Sequence, residues 1–477
     1  MGRKLDVRNP RNGMIDATID AADESGIASA VERLRRAQLE WVRLDLTDRS
    51  RRLEALADTL HQSRADILSA LKIDTGRLRI AEMELAGVIA SIRGWVQQAP
   101  DLLPHGWTQG RSNLAIRHTA SFVPYPVVGV ISPWNFPLTL SMIDTIPALL
   151  AGCAILLKPS EVTPRFVTPL ETAIKSAGLS DVFAIVQGDG ETGSALVAHV
   201  DAVCFTGSVA TGRKVAAGCA ARLIPAFLEL GGKDPLIVLS DADIEHATDA
   251  ALRGSILATG QACQSIERIY VQRPLYDQFV SRLCEKADAV RLTWPDPNDG
   301  EIGPIIFDKQ AETLTAHIED ARDNGARILT GGRVENHGGG LWLRPTVLAD
   351  VTHNMLVMRD ETFGPVMPVM AFETEDEAIA LANDSEYGLS AAVFSGNLAN
   401  AEEIASKLDV GAVSLNDTSL TGVFFEAEKQ SFKSSGLGAS RMGASGFQRF
   451  FRRKAIIAQT AAPASIRSFS ETGDSPA

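Results

Sequence analysis

Hydrophobic positions change their period along the chain, and the change divides it. From about residue 25 to 98 they recur at helical spacing. In TDRSRRLEALADTLHQSR (47–64), Leu53, Leu56, Ala57 and Leu60 fall on one face behind a candidate N-cap at Thr47. From Val127 the pattern becomes short apolar runs, VVGVIS, AILLKP, FAIVQG and DAVCFTG, separated by helix-length stretches. After Gly231 a second series follows, PLIVLS, RIYVQ, ARILTGG and SAAVFSG, alternating with helical segments such as KQAETLTAHIEDARDNG and TEDEAIALAND. Continuous apolar strands need cover on both faces, so each series predicts a parallel sheet packed between helices, an α/β fold in both halves.

The pattern also gives boundaries. Residues 1–104 and 125–230 hold the helices and the first sheet series, and 231–425 the second. The polar, extended segment 105–124 (HGWTQGRSNLAIRHTASFVP) and residues 440–465, which carry FQRFFRRKAIIAQ, are expected to form a bridging arm that meets another subunit. The last residues, 466–477 (IRSFSETGDSPA), have the composition of a disordered tail. No internal repeat is visible.

Composition then removes whole classes of function. At 477 residues the chain exceeds one hydrophobic core, and 45% hydrophobic with 22% charged residues is ordinary for a globular protein. A formal charge of −13 argues against nucleic acid, which needs a basic face. The N-terminal MGRKLDVRNPRNG lacks the apolar core of a signal peptide, and no run approaches the ~20 apolar residues of a membrane span. Cysteines 153, 204, 219, 263 and 284 are dispersed without CxxC spacing, so free thiols and a cytoplasmic location are expected. Neither cysteines nor histidines show ligand spacing, and no metal is expected.

Candidate ligand sites come next. GDGETG (188–193) matches GxGxxG after FAIVQ, but position 208, about 20 residues on, is Ser where a Rossmann unit wants an acid. Those glycines read as turn residues. A better pocket lies where AILLKPSE puts Lys158 and Glu161 at the carboxyl end of a strand, with carboxylate acceptors suited to ribose hydroxyls. In FTGSVATG, Gly207, Ser208 and Gly212 open a candidate helix whose first amides would face an anion.

Six motifs occur together in order: PWNFP (133–137), LKPSE (157–161), FTGSVATG (205–212), LELGGKDP (228–235), GQACQSIER (260–268) and ETFGPV (361–366). In that order and rough spacing the sequence resembles the aldehyde dehydrogenase superfamily, non-acylating type, over nearly the whole chain to about Gln459. The resemblance implies an aldehyde dehydrogenase-like fold, with a Rossmann-type cofactor domain, an α/β catalytic domain and a small oligomerisation arm. It also implies a homodimer or homotetramer, a small-molecule aldehyde as substrate, and NAD as cofactor with NADP as the alternative.

Residue roles follow from the same likeness. Cys263 is the implied nucleophile, although a lone Cys beside Gly and Ala is otherwise a packing residue. Asn135 and the Cys263 backbone N–H are the implied oxyanion donors, and Glu229 the implied base for thioester hydrolysis. The apolar run LIPAFL before Glu229 leads one to expect burial and a raised carboxylate pKa. Cofactor contacts are expected from Ile131, Ser132, Pro133, Trp134, Lys158, Glu161, Gly190, Gly207, Ser208, Gly212, Leu230, Glu361 and Phe363.

One stretch departs from the family. Where many members have a PFGG-like sequence before the final helix, this chain has VFFEAEKQSFKSSGLG (423–438). Phe136, Ile143, Leu420, Phe424 and Phe425 suggest an apolar mouth, with Ala262 and Gln264 beside the nucleophile, and an aromatic or long-chain aldehyde as substrate. Glu426, Glu428 and Lys429 in the same stretch pull the other way. Two other functions stay open: an acylating relative that hands the acyl group to coenzyme A, against which Glu229 counts, and a non-catalytic descendant, against which Cys263 counts. A Cys–His hydrolase has no supporting motif among the eight histidines.

Overall fold

A computed structural model of the chain describes residues 3–104 and 106–471. The amphipathic N-terminal region folds as four helices, Glu24–Trp41, Leu46–Gln62, Arg64–Thr75 and Leu78–Gln98. Leu53, Leu56, Ala57 and Leu60 are buried, as their spacing requires. The cap, however, is Asp45 and not Thr47: Asp45 has the extended backbone an N-cap needs, and its Oδ1 accepts the Asp48 N–H at 2.8 Å. Thr47 lies inside the first turn.

The first series of apolar runs forms a sheet ordered Gly436–Leu437, Ala226–Glu229, Ala202–Thr206, Val127–Ile131, Ala154–Lys158 and Phe183–Ile185. All its pairs are parallel except the Gly436–Leu437 edge, which runs antiparallel beside Ala226–Glu229. The second sheet is ordered Arg327–Ile328, Thr346–Ala349, Val366–Phe372, Ile266–Gln272, Asp234–Val238, Ser390–Phe394 and Ala412–Leu415. Within it, Ile237 faces one apolar core while Leu236 and Val238 face another, which is why that run is apolar at consecutive positions. The mixed α/β fold expected from the periodicity is therefore present in both halves.

Some strands escape the pattern. Val366–Phe372 sits in the interior of its sheet despite Pro368, a residue that usually marks an edge because it lacks an N–H. ARILTGG yields just the two-residue edge strand Arg327–Ile328, cut short by Gly331 and Gly332 in left-handed conformations. Residues 3–21 form a hairpin, Arg3–Arg8 with Ile15–Ala21.

Phe451–Gln459 pairs antiparallel with Ile116–Pro124, and Thr108–Gln109 adds a third strand, so the two segments expected to make an arm meet in one ribbon. His105, in that same expectation, lies outside the described residues. Of the expected tail, Ile466–Phe469 makes an exposed 3-10 turn, and residues 472–477 lie outside the described residues. Among the described residues no helix is long and apolar enough to cross a membrane.

Candidate active site

A cavity of about 930 Å³ opens at the carboxyl ends of Val127–Ile131, Ala154–Lys158 and Ala202–Thr206. An open parallel sheet places ligands at that edge. Ile131, Ser132, Pro133, Trp134, Lys158, Glu161, Gly190, Gly207, Ser208, Leu230, Glu361 and Phe363 all line it, together with Asn135 and Cys263. Of the expected cofactor contacts, Gly212 alone stays out: it sits inside the helix Val209–Ala221 against Leu230, where a Cβ would come within 2.5 Å of that side chain. Its glycine serves packing, not a ligand.

The lining has three chemical parts. Lys158, buried, donates to the Pro159 carbonyl at 3.1 Å and pairs with Glu161 at 3.5 Å; burial pulls its pKa down and the carboxylate opposes that. Ser208 caps the helix Val209–Ala221, its Oγ accepting the Thr211 N–H at 3.3 Å, so the positive end of a helix dipole faces the cavity. Trp134, Phe307 and Phe363 supply aromatic surface, with Trp134 edge-on to Phe363 at 5.5 Å. Hydroxyl acceptors at one end, an anion-favouring helix terminus and flat apolar rings suit a ligand with ribose, phosphate and an aromatic base. GDGETG, read from the sequence as a turn, is instead a helix start: Asp189 caps Gly190–Val197 and is held by Arg3 at 2.6 Å, while Gly190 and Gly193 line the cavity.

Cys263 follows an unusual turn. Ala258, Thr259 and Gly260 take φ of 55°, 63° and 66°, a left-handed run that costs strain at the two residues bearing a Cβ. Arg77, buried at the head of the fourth helix, offsets it by donating to the Ala258 carbonyl at 2.8 Å and to the Asn135 carbonyl at 2.5 Å. One guanidinium thus ties the loop before Cys263 to the loop carrying Asn135. Asn135 Nδ2 donates to the Gln261 carbonyl at 2.9 Å, which uses one of its two N–H bonds and leaves the other. Gly232 lies against this loop so closely that a Cβ would stand 2.4 Å from the Cys263 carbonyl oxygen. Burial pushes the Cys263 thiol up to about 11; Lys429 opposes the rise, and Asp234, Glu229 and Glu361 add to it.

Glu229 ends the strand Ala226–Glu229 and does not line the cavity. Its Oε2 accepts from Ser431 Oγ at 2.9 Å and from Lys429 Nζ at 3.3 Å. The expectation of a raised pKa is wrong in direction. Burial does raise it, but Lys429, Arg441, the Ser431 hydrogen bond and Arg449 together outweigh burial and hold the carboxyl below its ordinary value. Glu361 behaves oppositely, pushed up to about 8 by burial and by Glu267, while accepting the Gly232 N–H at 3.1 Å.

Several supports were invisible in the motifs. Phe363 adopts φ 51° and is fixed there by Glu267, which accepts the Thr362 and Phe363 N–H groups at 2.7 Å each and pairs with buried Lys233 at 2.7 Å. Arg268 donates to the carbonyls of Lys233, Leu381 and Ala382 at 2.8, 3.1 and 2.9 Å. A Glu–Arg pair inside the apolar strand Ile266–Gln272 was the available signal, because a buried charge demands partners. Arg77 and Lys429 carried no such signal.

The expected substrate residues do not line the cavity. Phe136 lies under the Arg77 guanidinium at 5.5 Å. Ile143, Ala262 and Gln264 are half-buried. Gln264 accepts from Ser419 and Thr421 at 2.9 and 2.7 Å, which draws the loop carrying exposed Phe424 and Phe425 to the side of Cys263. The remaining four cysteines stay in packing positions, Cys153, Cys204 and Cys219 buried and Cys284 half-buried.

Known proteins share this fold. The family model described as "Aldehyde dehydrogenase family" matches residues 1–456. A protein of Mycolicibacterium smegmatis, provisionally named succinate-semialdehyde dehydrogenase [NADP(+)], is 36% identical over 443 residues, covering 92% of this chain and 86% of its own. The structure of PutA from Anabaena variabilis, provisionally named an aldehyde dehydrogenase, superposes with TM-score 0.95 at 50% identity over 97% of this chain and 99% of that one. Betaine aldehyde dehydrogenase from Staphylococcus aureus, in complex with NAD+, superposes with TM-score 0.90 at 31% identity over 98% and 94%. A matching family model, a shared fold and relatives over nearly its full length place the chain in the aldehyde dehydrogenase family, which oxidises aldehydes with NAD(P)+.

Proposed function

We propose that the enzyme oxidises an aldehyde to the carboxylic acid through a covalent thioester on Cys263, hydrolysed by water that Glu229 activates. What supports this best is that Cys263 and Asn135 open together onto the cavity fitted for a dinucleotide, while Glu229 is close enough to raise the thiol's pKa. Lys158 and Glu161 would hold the adenosine ribose, Trp134 and Ser208 would lie by the pyrophosphate, and Glu361 and Phe363 would position the nicotinamide ribose and ring. Glu161 favours a free 2′-hydroxyl, so NAD is the proposed cofactor and NADP the alternative. When bound, it supplies the acceptor for the hydride released from the aldehyde carbon.

The chain's own residues do the rest. Sγ loses its proton to water and adds to the carbonyl carbon, and the carbonyl π electrons move onto oxygen. With a pKa of about 11, on the order of one thiol in a thousand is ionised at pH 8, so attack draws on a small thiolate fraction. The free Nδ2–H of Asn135 and the Cys263 N–H would receive the oxyanion. Once the C–H pair has gone, the C=O re-forms as a thioester. Glu229, already ionised, takes a proton from water as its oxygen attacks; the C–S bond breaks, the acid leaves and Sγ regains a proton.

The proposed substrate is an apolar, aromatic or long-chain aldehyde. Leu420, Val423, Phe424 and Phe425 are exposed on the loop held to Gln264, next to the nucleophile. We also propose that the ribbon of Ile116–Pro124 and Phe451–Gln459 joins subunits, because Ile456 and Ile457 stand exposed on it, and that five free thiols reflect a cytoplasmic location. The deciding experiment is NADH formation at 340 nm across aromatic, long-chain and semialdehyde substrates, with NAD and NADP in parallel and coenzyme A added or omitted. Turnover without coenzyme A supports hydrolysis. A requirement for coenzyme A would replace Glu229 chemistry with acyl transfer.

A further inference from the structure

Lys429 stands in the stretch that departs from the family pattern, yet it contacts the proposed base directly. Its side chain is 10% exposed and that of Glu229 12%. Nζ lies 3.3 Å from Glu229 Oε2 and 3.2 Å from Ser431 Oγ, and Ser431 itself reaches the same carboxylate oxygen at 2.9 Å. Strand pairing places it there. Gly436 pairs with Glu229 and Leu437 with Leu228, and the Leu230 N–H donates to the Ser435 carbonyl at 2.8 Å, so the chain just before that edge strand lies across the end of Ala226–Glu229.

Resting on the reaction proposed above, we propose that Lys429 is a positioning residue of that reaction, anchoring the Glu229 carboxylate for deacylation and lending the Cys263 thiolate its neighbouring positive charge.

The charges around the pair single it out. Glu229 faces Lys429, Arg441 and Arg449. Both arginines are already paired with Asp144, and Arg441 also donates to Thr206 at 2.6 Å, whereas the partners of Lys429 are Glu229 and Ser431. Cys263 faces three carboxylates, Asp234, Glu229 and Glu361, and of the cations set against them Lys429 acts most strongly, with Arg441 beside it. Without it, the cation left to a thiolate beside three acids would be Arg441, itself paired with Asp144, and Glu229 would lose the strongest of the groups that favour its ionised form. Ser431 completes the anchor, because its hydroxyl joins the ammonium and the carboxylate in one ring of contacts.

The test compares Lys429→Met, Lys429→Arg and the double variant Lys429→Met/Glu229→Gln, which leaves no lone buried carboxylate where the single variant would. Two readouts separate positioning from mere folding: the pH dependence of Cys263 alkylation by iodoacetamide in the ligand-free enzyme, and the acid limb of steady-state turnover alongside the NADH burst. Loss of the cation should slow alkylation about tenfold at pH 8 and move the acid limb of deacylation up by about one pH unit, with the burst outlasting the slowed turnover. Lys429→Arg should restore both. The double variant should still alkylate more slowly than Glu229→Gln alone. Alkylation and acid limb both unchanged in Lys429→Met, or alkylation equal in the double variant and in Glu229→Gln, would overturn the proposal. Wild-type deacylation in Glu229→Gln would instead remove Glu229 as the base, a separate result that the alkylation comparison does not depend on.

Discussion

The two ends of the site are built by different rules. At the dinucleotide end, Lys158, Thr206 and Ser208 stand where strands of one sheet stop, so a change of hydrophobic period locates them. At the reacting end, Cys263 follows a left-handed turn, Asn135 sits on a loop, and Lys429 on an irregular stretch; what joins them is Arg77, 186 positions before Cys263, and a strand pairing between Gly436 and Glu229. Regular structure carries the binding surface, and long-range contacts carry the chemistry. The expectation that follows is separability: damage at one end should leave the other working.

The largest break should come from Cys263→Ala. Turnover should fall by at least about 10⁴-fold while NAD binding, followed by quenching of protein fluorescence, is retained. Turnover near wild type would take Cys263 out of the mechanism. The wild-type thiol gives a companion pH measurement: with a pKa of about 11, its alkylation rate should rise about tenfold per unit between pH 7 and 10 without a plateau, because the thiolate fraction grows in proportion over that range. A plateau near pH 8.5 would show an unperturbed thiol.

Glu229→Gln comes next. The first turnover should release NADH in a burst and steady turnover should drop about 10²-fold, since acylation precedes the step that needs the base. Loss of the burst would place Glu229 before the thioester. Because the carboxyl is held below its ordinary value, the wild-type acid limb should lie below about pH 4.5, and deacylation should stay flat through neutrality.

Arg77→Met tests what joins the reacting end. It removes both hydrogen bonds that fix the Asn135 and Ala258 carbonyls; Ala258 keeps the Gln261 N–H at 3.2 Å while the Asn135 carbonyl loses its partner, a cost of about 1–3 kcal/mol spread over stability and strain. We expect roughly tenfold lower kcat, a lower melting temperature and unchanged NAD affinity. Weaker NAD binding in step with kcat would mean that the two ends are one mechanical unit.

These contrasts also explain what could be read in advance. Both sheets, the placement of Lys158 and Glu161, and the paired arm segments followed from period and composition, because burial on both faces of a strand is written into consecutive residues. Val366–Phe372 did not, since Pro368 sends the opposite local signal and is overruled by its neighbours in the sheet. The direction of the Glu229 shift could not be read from LIPAFL: burial is local, but the cations that outweigh it come from positions 429, 441 and 449. The same distance hid Arg77. Gly212 was misread for another reason, that a helix-opening glycine and a helix-packing glycine look alike until Leu230 is seen against it.

The smallest effect is the sharpest probe of separability. Glu161→Gln keeps the shape of the side chain at the outer end of the cavity and removes one negative charge, while Lys158, buried and 3.5 Å away, keeps its own. With Glu161 partly exposed, solvent screens the change, so the ratio of kcat/KM for NAD over NADP should fall by about tenfold, on the order of 1.4 kcal/mol. The order of preference among aldehydes should not move, because nothing at Glu161 touches the loop held to Gln264. An unchanged cofactor ratio would mean that the carboxylate does not meet the ribose. A reordered aldehyde series would be the more instructive failure: a single charge at the far end of a 930 Å³ cavity would then be felt at Cys263, and the division between a surface made by strand ends and chemistry made by distant contacts would not hold.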